Sequence, residues 1–207
     1  MIRGRNKHVV AALALGAVVA GCATPSGPQS GRTALEVLQD SFKPRGQAKL
    51  DRLDQDEVQA DCTRYRGDPP KAESERIEKS QLATIRYPDS GKLMGDWRRG
   101  ERIAQSGIGG QFTDALDRPA GGACYNCHQL SPGELSFGTI GPSLYGFGKL
   151  RGSSEAIQKY AYGKIYNSEA FSACSNMPRF GHKRILTEEQ IADLVALLLD
   201  PESPVNQ

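Results

Sequence analysis

The residues with the clearest chemistry are Cys124, Cys127 and His128, which together form a C-x-x-C-H motif. Two thiols at this spacing can add to the two vinyl groups of a haem, and the adjacent imidazole can then reach the iron. A zinc site would need two further ligands near this pair, and a thioredoxin-like redox pair would need a βαβ setting that the sequence lacks. The motif therefore predicts one covalently attached haem c.

The second axial ligand of such an iron would set its chemistry, because a thioether raises the reduction potential. Met177 is the preferred candidate, since the following Pro178 disfavours a helix and favours an extended loop from which the side chain can project. His182 and an open coordination site are the alternatives. Met94 lies before the motif and is predicted to be a linker or packing residue. We therefore predict His128 and Met177 as the axial ligands of an electron-transfer haem.

Residues 1–22 indicate the cellular location of the protein. Three basic residues precede a short apolar stretch that ends in small residues, which is the layout of a bacterial export signal. No apolar run approaches the ~20 residues that span a bilayer. The ending Val19-Ala20-Gly21-Cys22 resembles a lipobox, in which Cys22 is acylated; ordinary cleavage after Ala23 is the alternative. We expect a periplasmic protein that touches a membrane only through a lipid anchor.

The remaining two of the five cysteines are Cys62 and Cys174. Two leftover thiols in an oxidising compartment usually pair, so we predict a disulfide between them. Two separate buried thiols, or an intermolecular bond, are the alternatives. The disulfide would tie the N-terminal region to the loop that contains Met177.

Charge and composition limit the function further. The 207 residues carry a formal net charge of +2, but the export signal alone contributes three bases and no acid. A binder of nucleic acid that relies on phosphate contacts is therefore not expected. The 23 glycines and 12 prolines indicate a loop-rich chain with a modest core.

The chain divides into an export signal (1–22), a tether and extension (23–94) and a C-terminal domain (95–207). Residues 24–33 are rich in Pro, Gly and Ser, which is typical of a flexible tether. Residues 34–86 show weak helical patterning and too few apolar residues for a core of their own. We expect this extension to fold against another surface; a disordered spacer is the alternative.

Helices are predicted in the C-terminal domain from their caps and apolar spacing. One begins after Asp96, a second covers residues 153–164, and a third follows a capping box formed by Thr187 and Gln190. The apolar positions of the third helix recur at i, i+3, i+4 and i+7, and they are Ile191, Leu194, Val195 and Leu198. The glycines of residues 138–146 are expected to let the backbone approach a flat ligand. With no clear strand pattern, the domain is predicted to be all-α.

These features resemble the class I cytochromes c, on the C-x-x-C-H motif, the later Met-Pro and the first and last helices. The segments GTIGPSLYGFGKLRG, NMPRFG and LTEEQIADLVALLLDPESPVN are more specifically similar to SoxX, the small cytochrome subunit of the SoxAX complex of bacterial sulfur oxidation. The resemblance covers residues 95–207. It implies a class I cytochrome c fold around one haem, with Cys124 and Cys127 as thioether cysteines and His128 and Met177 as axial ligands.

The resemblance also implies partners and an activity. The chain would form a heterodimer with SoxA and act as the electron-transfer subunit of an L-cysteine S-thiosulfotransferase. This enzyme couples thiosulfate oxidatively to a cysteine of the SoxYZ carrier, and a cytochrome acceptor takes the electrons. The reactive cysteine belongs to SoxA, so no catalytic residue is expected in this chain. The extension is interpreted as an arm that wraps the partner, and a free-standing periplasmic electron shuttle is the alternative function.

The sequence also suggests roles for two groups of side chains, one basic and one aromatic. Seven bases between residues 141 and 184 could steer an acidic partner, although a solvated basic surface is an equal alternative. These bases are Lys149, Arg151, Lys159, Lys164, Arg179, Lys183 and Arg184. Four aromatic residues are expected to pack in the haem pocket or the core, namely Tyr145, Phe147, Tyr160 and Tyr162.

Overall fold

A computed structural model describes residues 31–207. The export signal, Cys22 and most of the tether lie outside these residues. Within them the chain forms helices and no β-strand, so the all-α prediction is confirmed for the described range. The α-helices are α1 (Ala34–Ser41), α2 (Glu57–Arg64), α3 (Lys71–Leu82), α4 (Trp97–Gln105), α5 (Phe147–Arg151), α6 (Glu155–Tyr166) and α7 (Glu188–Leu199). None of them is long and apolar enough to cross a bilayer.

The hydrophobic core is built around α7. Its predicted capping box is present, because the Thr187 hydroxyl accepts from the Gln190 N–H and the Gln190 side chain accepts from the Thr187 N–H. The apolar positions predicted to face the core are all buried, and they are Ile191, Leu194, Val195 and Leu198. The other residues of 191–199 are buried as well, so α7 is covered on every side rather than on one face.

Helix α4 packs closely across α7. Asp96 caps α4 as predicted, accepting from the Arg99 N–H at 2.9 Å. A Cβ at Gly100 would lie 2.2 Å from the Asp193 carbonyl oxygen, so only glycine permits this approach. The buried Asp193 carboxylate accepts two hydrogen bonds from Arg99, at 2.7 and 2.8 Å, and one from the Asp96 N–H at 2.8 Å. These charge-assisted bonds lock the two helices in register.

The extension folds against the chain itself. Helix α3 packs on the short 3₁₀ helix Ser168–Ala170, and its Ile77 is fully buried. The Asn167 amide donates to the Gln81 side chain at 3.0 Å and to the Thr84 hydroxyl at 2.9 Å. The structure therefore provides the surface that the extension was expected to need, and the disordered-spacer alternative does not apply to α2 and α3. Contact with a partner stays a prediction.

Helix α1 differs from α2 and α3 because none of its residues is buried. Its side chains Leu35 and Leu38, and Phe42 directly after it, are between 40% and 53% exposed. Helix α1 contacts the 3₁₀ helix Leu50–Leu53. The start of the extension thus adds little to the core.

Candidate functional site

The C-x-x-C-H motif opens onto a cavity of about 950 Å³. This volume lies near the upper end of the roughly 300–1,000 Å³ typical of small-molecule and cofactor sites. The cavity is lined by residues from distant parts of the chain, with the apolar side chains of α7 contributing Leu194, Leu197 and Leu198. Cys124, Cys127, His128 and Met177 all line it. The structure therefore brings the four predicted haem-binding residues to one place.

A tight turn positions the two thiols and the imidazole. Residues Cys124–Asn126 form a 3₁₀ helix, and the Cys124 carbonyl accepts from the N–H groups of Cys127 and His128 at 3.1 and 2.9 Å. The turn is held to α4 because the Ala123 N–H donates to the Ser106 carbonyl at 2.9 Å. Both thiols are free of disulfide bonds. All three functional side chains of the motif can thus act on one ligand.

Burial makes Cys124 a poor redox thiol. Removal of the side chain from water raises the pKa of the Cys124 thiol to about 12. Catalytic C-x-x-C pairs need the opposite, a lowered pKa that supplies thiolate near neutral pH. The raised pKa of Cys124 does not match the thiolate that a thioredoxin-like pair would need.

The His128 ring is oriented by the loop that follows the motif. Its Nδ1 lies 2.7 Å from the Pro142 carbonyl oxygen, which can only accept, so Nδ1 carries the proton and Nε2 is left with a free lone pair. This arrangement is the usual support of a histidine that binds a metal. A Cβ at Gly141 would lie 2.2 Å from His128 Cε1, and one at Gly138 would lie 1.8 Å from the Asn126 carbonyl oxygen.

Two glycines of this loop have a role that the sequence did not predict. They let the backbone approach the motif itself, Gly141 at the His128 ring and Gly138 at the backbone of Asn126. Gly141 also lines the cavity, and the expected approach of this backbone to a flat ligand stays a prediction.

Met177 projects from a loop that is fixed on both sides. The Ser168 hydroxyl donates to the Met177 carbonyl, and the Met177 N–H donates to the Ser175 hydroxyl at 3.2 Å. The competitors lie elsewhere: His182 and Met94 are not among the residues that line the cavity. Burial, together with the nearby charges of Arg179 and Lys183, lowers the pKa of His182.

The disulfide between Cys62 and Cys174 is present, with the two Cα atoms 5.4 Å apart. It joins α2 to the loop three residues before Met177, and Cys174 itself lines the cavity. The prediction that this bond ties the N-terminal region to the Met177 loop is confirmed.

A buried charge cluster beside the Met177 loop was missed from the sequence. Arg179 was predicted to be part of an exposed basic surface, yet it is only 6% exposed. Its Nη2 donates to Asp56 Oδ2 at 2.6 Å, and its Nε lies 3.8 Å from Glu169. Burial alone would raise the pKa of Asp56, but hydrogen bonds from Lys183, the Gln59 N–H and Arg179 outweigh it and lower that pKa to about 2. No local sequence signal links residues so far apart.

This pairing changes the predicted docking surface. Arg179 and Lys183 share Asp56, Lys159 pairs with Glu155, and Lys164 donates to the Ser168 carbonyl. The bases of the set that are exposed and without an acidic partner in the described part of the chain are Lys149, Arg151 and Arg184. Asp56, Glu155 and Glu169 therefore neutralise three of the seven positive charges, and steering of an acidic partner stays a prediction.

The four aromatic side chains pack as expected. Tyr145, Phe147 and Tyr160 line the cavity, and Tyr162 lies in the core with its hydroxyl buried and without a hydrogen-bond partner among the described residues. Burial raises the pKa of the Tyr162 hydroxyl, so this group stays protonated.

The donor set at the cavity fits a haem. A porphyrin would leave two iron positions for protein ligands, and a histidine with a free Nε2 and a methionine line the cavity. Two free thiols lie beside them for covalent attachment. Within residues 31–207, no three His, Cys, Asp or Glu side chains gather to bind a metal ion by themselves.

The chain matches no protein-family model. It is similar to a protein of Aquifex aeolicus (strain VF5) whose name is "uncharacterized lipoprotein", with 42% identity over 132 residues. The aligned region covers 62% of this chain and 61% of the Aquifex protein. The chain thus spans less than two thirds of its relative's length.

Proposed function

We propose that this chain is a monohaem c-type cytochrome of class I. Cys124 and Cys127 would hold the haem through thioether bonds, and His128 and Met177 would be its axial ligands. The observation that carries the proposal is the meeting of these four side chains in one largely apolar cavity. Between His128 and Met177 the sequence runs through α5 and α6, so this meeting depends on the tertiary fold.

The side chains have separate tasks in this proposal. Each thiol S–H would add across one vinyl group, which forms a carbon–sulfur bond and needs no oxidant. The Pro142 carbonyl holds the His128 proton on Nδ1 and so keeps Nε2 available. The apolar wall of α7 limits the access of water. A haem bound here would supply a one-electron redox centre, whose potential a methionine ligand raises.

We further propose that the chain is a SoxX-like subunit of a SoxAX L-cysteine S-thiosulfotransferase. A SoxA-like cytochrome would be its heterodimer partner, SoxYZ a transient one, and a cytochrome the electron acceptor. The resemblance of residues 138–152 and of the C-terminal DPESPVN supports this proposal. These two segments touch in the structure: the Asn206 side chain accepts from the N–H groups of Gly148 and Lys149 and donates to the Leu198 carbonyl.

A periplasmic location with a lipid anchor at Cys22 completes the proposal. The sequence features of residues 1–22 support export, and the Aquifex relative is named a lipoprotein. Intact mass of the native protein tests both, because it reports the acyl chains on Cys22, the covalent haem and the two-dalton deficit of the disulfide. An extractable pigment, or a colourless protein, would refute the proposal of a covalent haem.

Ligation is tested by two alanine variants of the haem-loaded protein. Met177→Ala should lose the near-infrared thioether-to-iron charge-transfer band, whereas His182→Ala should keep it. Met94→Ala is the matched control for loss of a methionine outside the cavity. A parent protein that lacks the band, together with a spectral change in His182→Ala but not in Met177→Ala, would assign the ligand to His182.

A free-standing electron shuttle is the second candidate, and one observation favours it. Val58 of α2 and Ile77 of α3 are buried against this chain, so these two helices need no partner to fold. Co-expression with a SoxA-like subunit separates the two functions. Co-purification and thiosulfate-dependent haem reduction only with that subunit support the SoxX-like function, and a monomer reduced equally well alone supports the shuttle.

A further inference from the structure

We propose that Asp56, the residue that caps α2, is a positioning residue for Met177 and acts through Arg179. The inference rests on the proposed function, because it takes Met177 as an axial ligand. It assigns a task to the extension: this segment holds the ligand loop in place.

The guanidinium of Arg179 is held from three elements. It donates to Asp56 Oδ2 at 2.6 Å, contacts the Gln81 side chain of α3 at 3.4 Å and lies 3.8 Å from Glu169. Arg179 is only 6% exposed. Without Asp56 this buried cation would keep only the longer contact with Glu169, and breaking a buried ion pair is costly. The backbone at residue 179 therefore cannot move freely while this cluster is intact.

Met177 lies two residues before Arg179, and Pro178 between them restricts the backbone further. At the other end of the loop, Cys174 is bonded to Cys62 of α2. Residues 174–179 are thus attached to one helix at both ends, by a disulfide and by a buried ion pair. The loop that carries Met177 is therefore held in place relative to α2.

The two carboxylate oxygens of Asp56 allow the ion pair to be removed by itself. Oδ1 accepts from the Gln59 N–H at 2.9 Å and caps α2, whereas Oδ2 accepts from Arg179 and Lys183. Asparagine caps helices about as well as aspartate. Asp56→Asn therefore keeps the cap and removes the nearer of the two carboxylate charges that face Arg179.

Asp61 provides a matched control on the same helix. Its carboxylate is buried and pairs with Arg64 and Arg76, both of which belong to the extension. Asp61→Asn removes a buried charge from α2, and no hydrogen bond or ion pair joins the Asp61 side chain to residues 174–179. Any difference between the two variants therefore reports on the Met177 loop rather than on the stability of α2.

The experiment uses the full haem-loaded chain in its oxidised form, with imidazole as a probe that competes with Met177. The apparent imidazole affinity rises with the fraction of molecules in which Met177 is displaced. We expect Asp56→Asn to increase this affinity at least tenfold and to weaken the near-infrared thioether-to-iron band. Asp61→Asn should stay within twofold of the parent protein, even though its thermal midpoint falls.

Equal affinities for Asp56→Asn, Asp61→Asn and the parent protein would overturn the inference, provided that the parent shows the near-infrared band. A parent protein without that band would instead refute the ligation by Met177. If Asp56→Asn does not fold, Arg179→Lys serves in its place, because it keeps the charge but loses the planar fork. It should raise the imidazole affinity by a smaller factor, and an unchanged affinity would again overturn the inference.

Discussion

The contact between Gly141 and His128 offers the sharpest test of how the fold supports the site. A methyl group at residue 141 would lie 2.2 Å from His128 Cε1, 2.5 Å from Nδ1 and 2.7 Å from Nε2. Ordinary contacts begin near 3.4 Å, so the ring must move by about 1.2 Å. Such a shift breaks the 2.7 Å hydrogen bond to Pro142. We therefore predict that Gly141→Ala disturbs the imidazole while leaving both thiols in place.

The expected cost combines two terms. Overpacking of a filled site costs about 1–3 kcal/mol, and the lost hydrogen bond adds about 1 kcal/mol. Gly141→Ala should thus lower the free energy of unfolding by roughly 2–4 kcal/mol, measured by denaturant titration with circular dichroism. Gly133→Ala is the matched control, because nothing lies within 4 Å of a Cβ at that position. It should change stability by less than about 0.5 kcal/mol.

The spectrum of the haem-loaded variant provides the second readout. A displaced imidazole should weaken axial ligation by His128 in Gly141→Ala and leave it unchanged in Gly133→Ala. Identical unfolding curves and spectra for the two variants would show that the loop adapts without moving the ring. The assignment of Gly141 as the support of His128 would then be wrong.

Three further predictions concern the contacts that hold the fold. Removing the Cys62–Cys174 disulfide, which closes a span of 112 residues, should lower the free energy of unfolding by at most about 5 kcal/mol, as measured with Cys62→Ser/Cys174→Ser. A covalent haem already restricts that span, so a larger loss in the haem-loaded protein would contradict the chain-entropy account. Asp193→Asn, at a buried site, should lower the free energy of unfolding by about 2 kcal/mol. Asp40→Asn, at an exposed ion pair, should lower it by less than about 1 kcal/mol. Equal losses for the two variants would contradict the role given to burial. The pKa of Asp56 is about 2 in the folded protein, below the ordinary value of 3.8, so its contribution to stability is complete above about pH 5 and is lost as the pH falls through 2. Unfolding measured as a function of pH should show that Asp56→Asn reduces the loss of stability in acid by on the order of 1–2 kcal/mol. An unchanged acid sensitivity would refute the stabilising role given to the Asp56 carboxylate.

Much of the local structure was predictable because its causes lie close together in the chain. Thr187 and Gln190 are three residues apart, and so the start of α7 follows from capping chemistry alone. The same holds for Asp96 at the start of α4. The predicted boundaries of α6 are wrong by two residues at each end. The helix covers Glu155–Tyr166 rather than residues 153–164, because Ser154 caps it.

The candidate site was predictable for a related reason. Covalent attachment of a haem needs two thiols and an imidazole at one short spacing, and Cys124, Cys127 and His128 supply it. Met177 was separable from His182 because Pro178 excludes a helix at the methionine. These motifs do not predict that the side chains meet in one cavity.

The amino-acid sequence by itself predicted the starts of α4 and α7, the residues proposed to bind a haem and the pairing of Cys62 with Cys174. Only the tertiary structure decided the environment of the charged residues. Arg179 resembles a solvated base in the sequence, because its partner Asp56 lies 123 residues away and belongs to another helix. Capping and periodicity act through neighbouring peptide groups, whereas burial and ion pairing depend on which distant surfaces meet when the core closes.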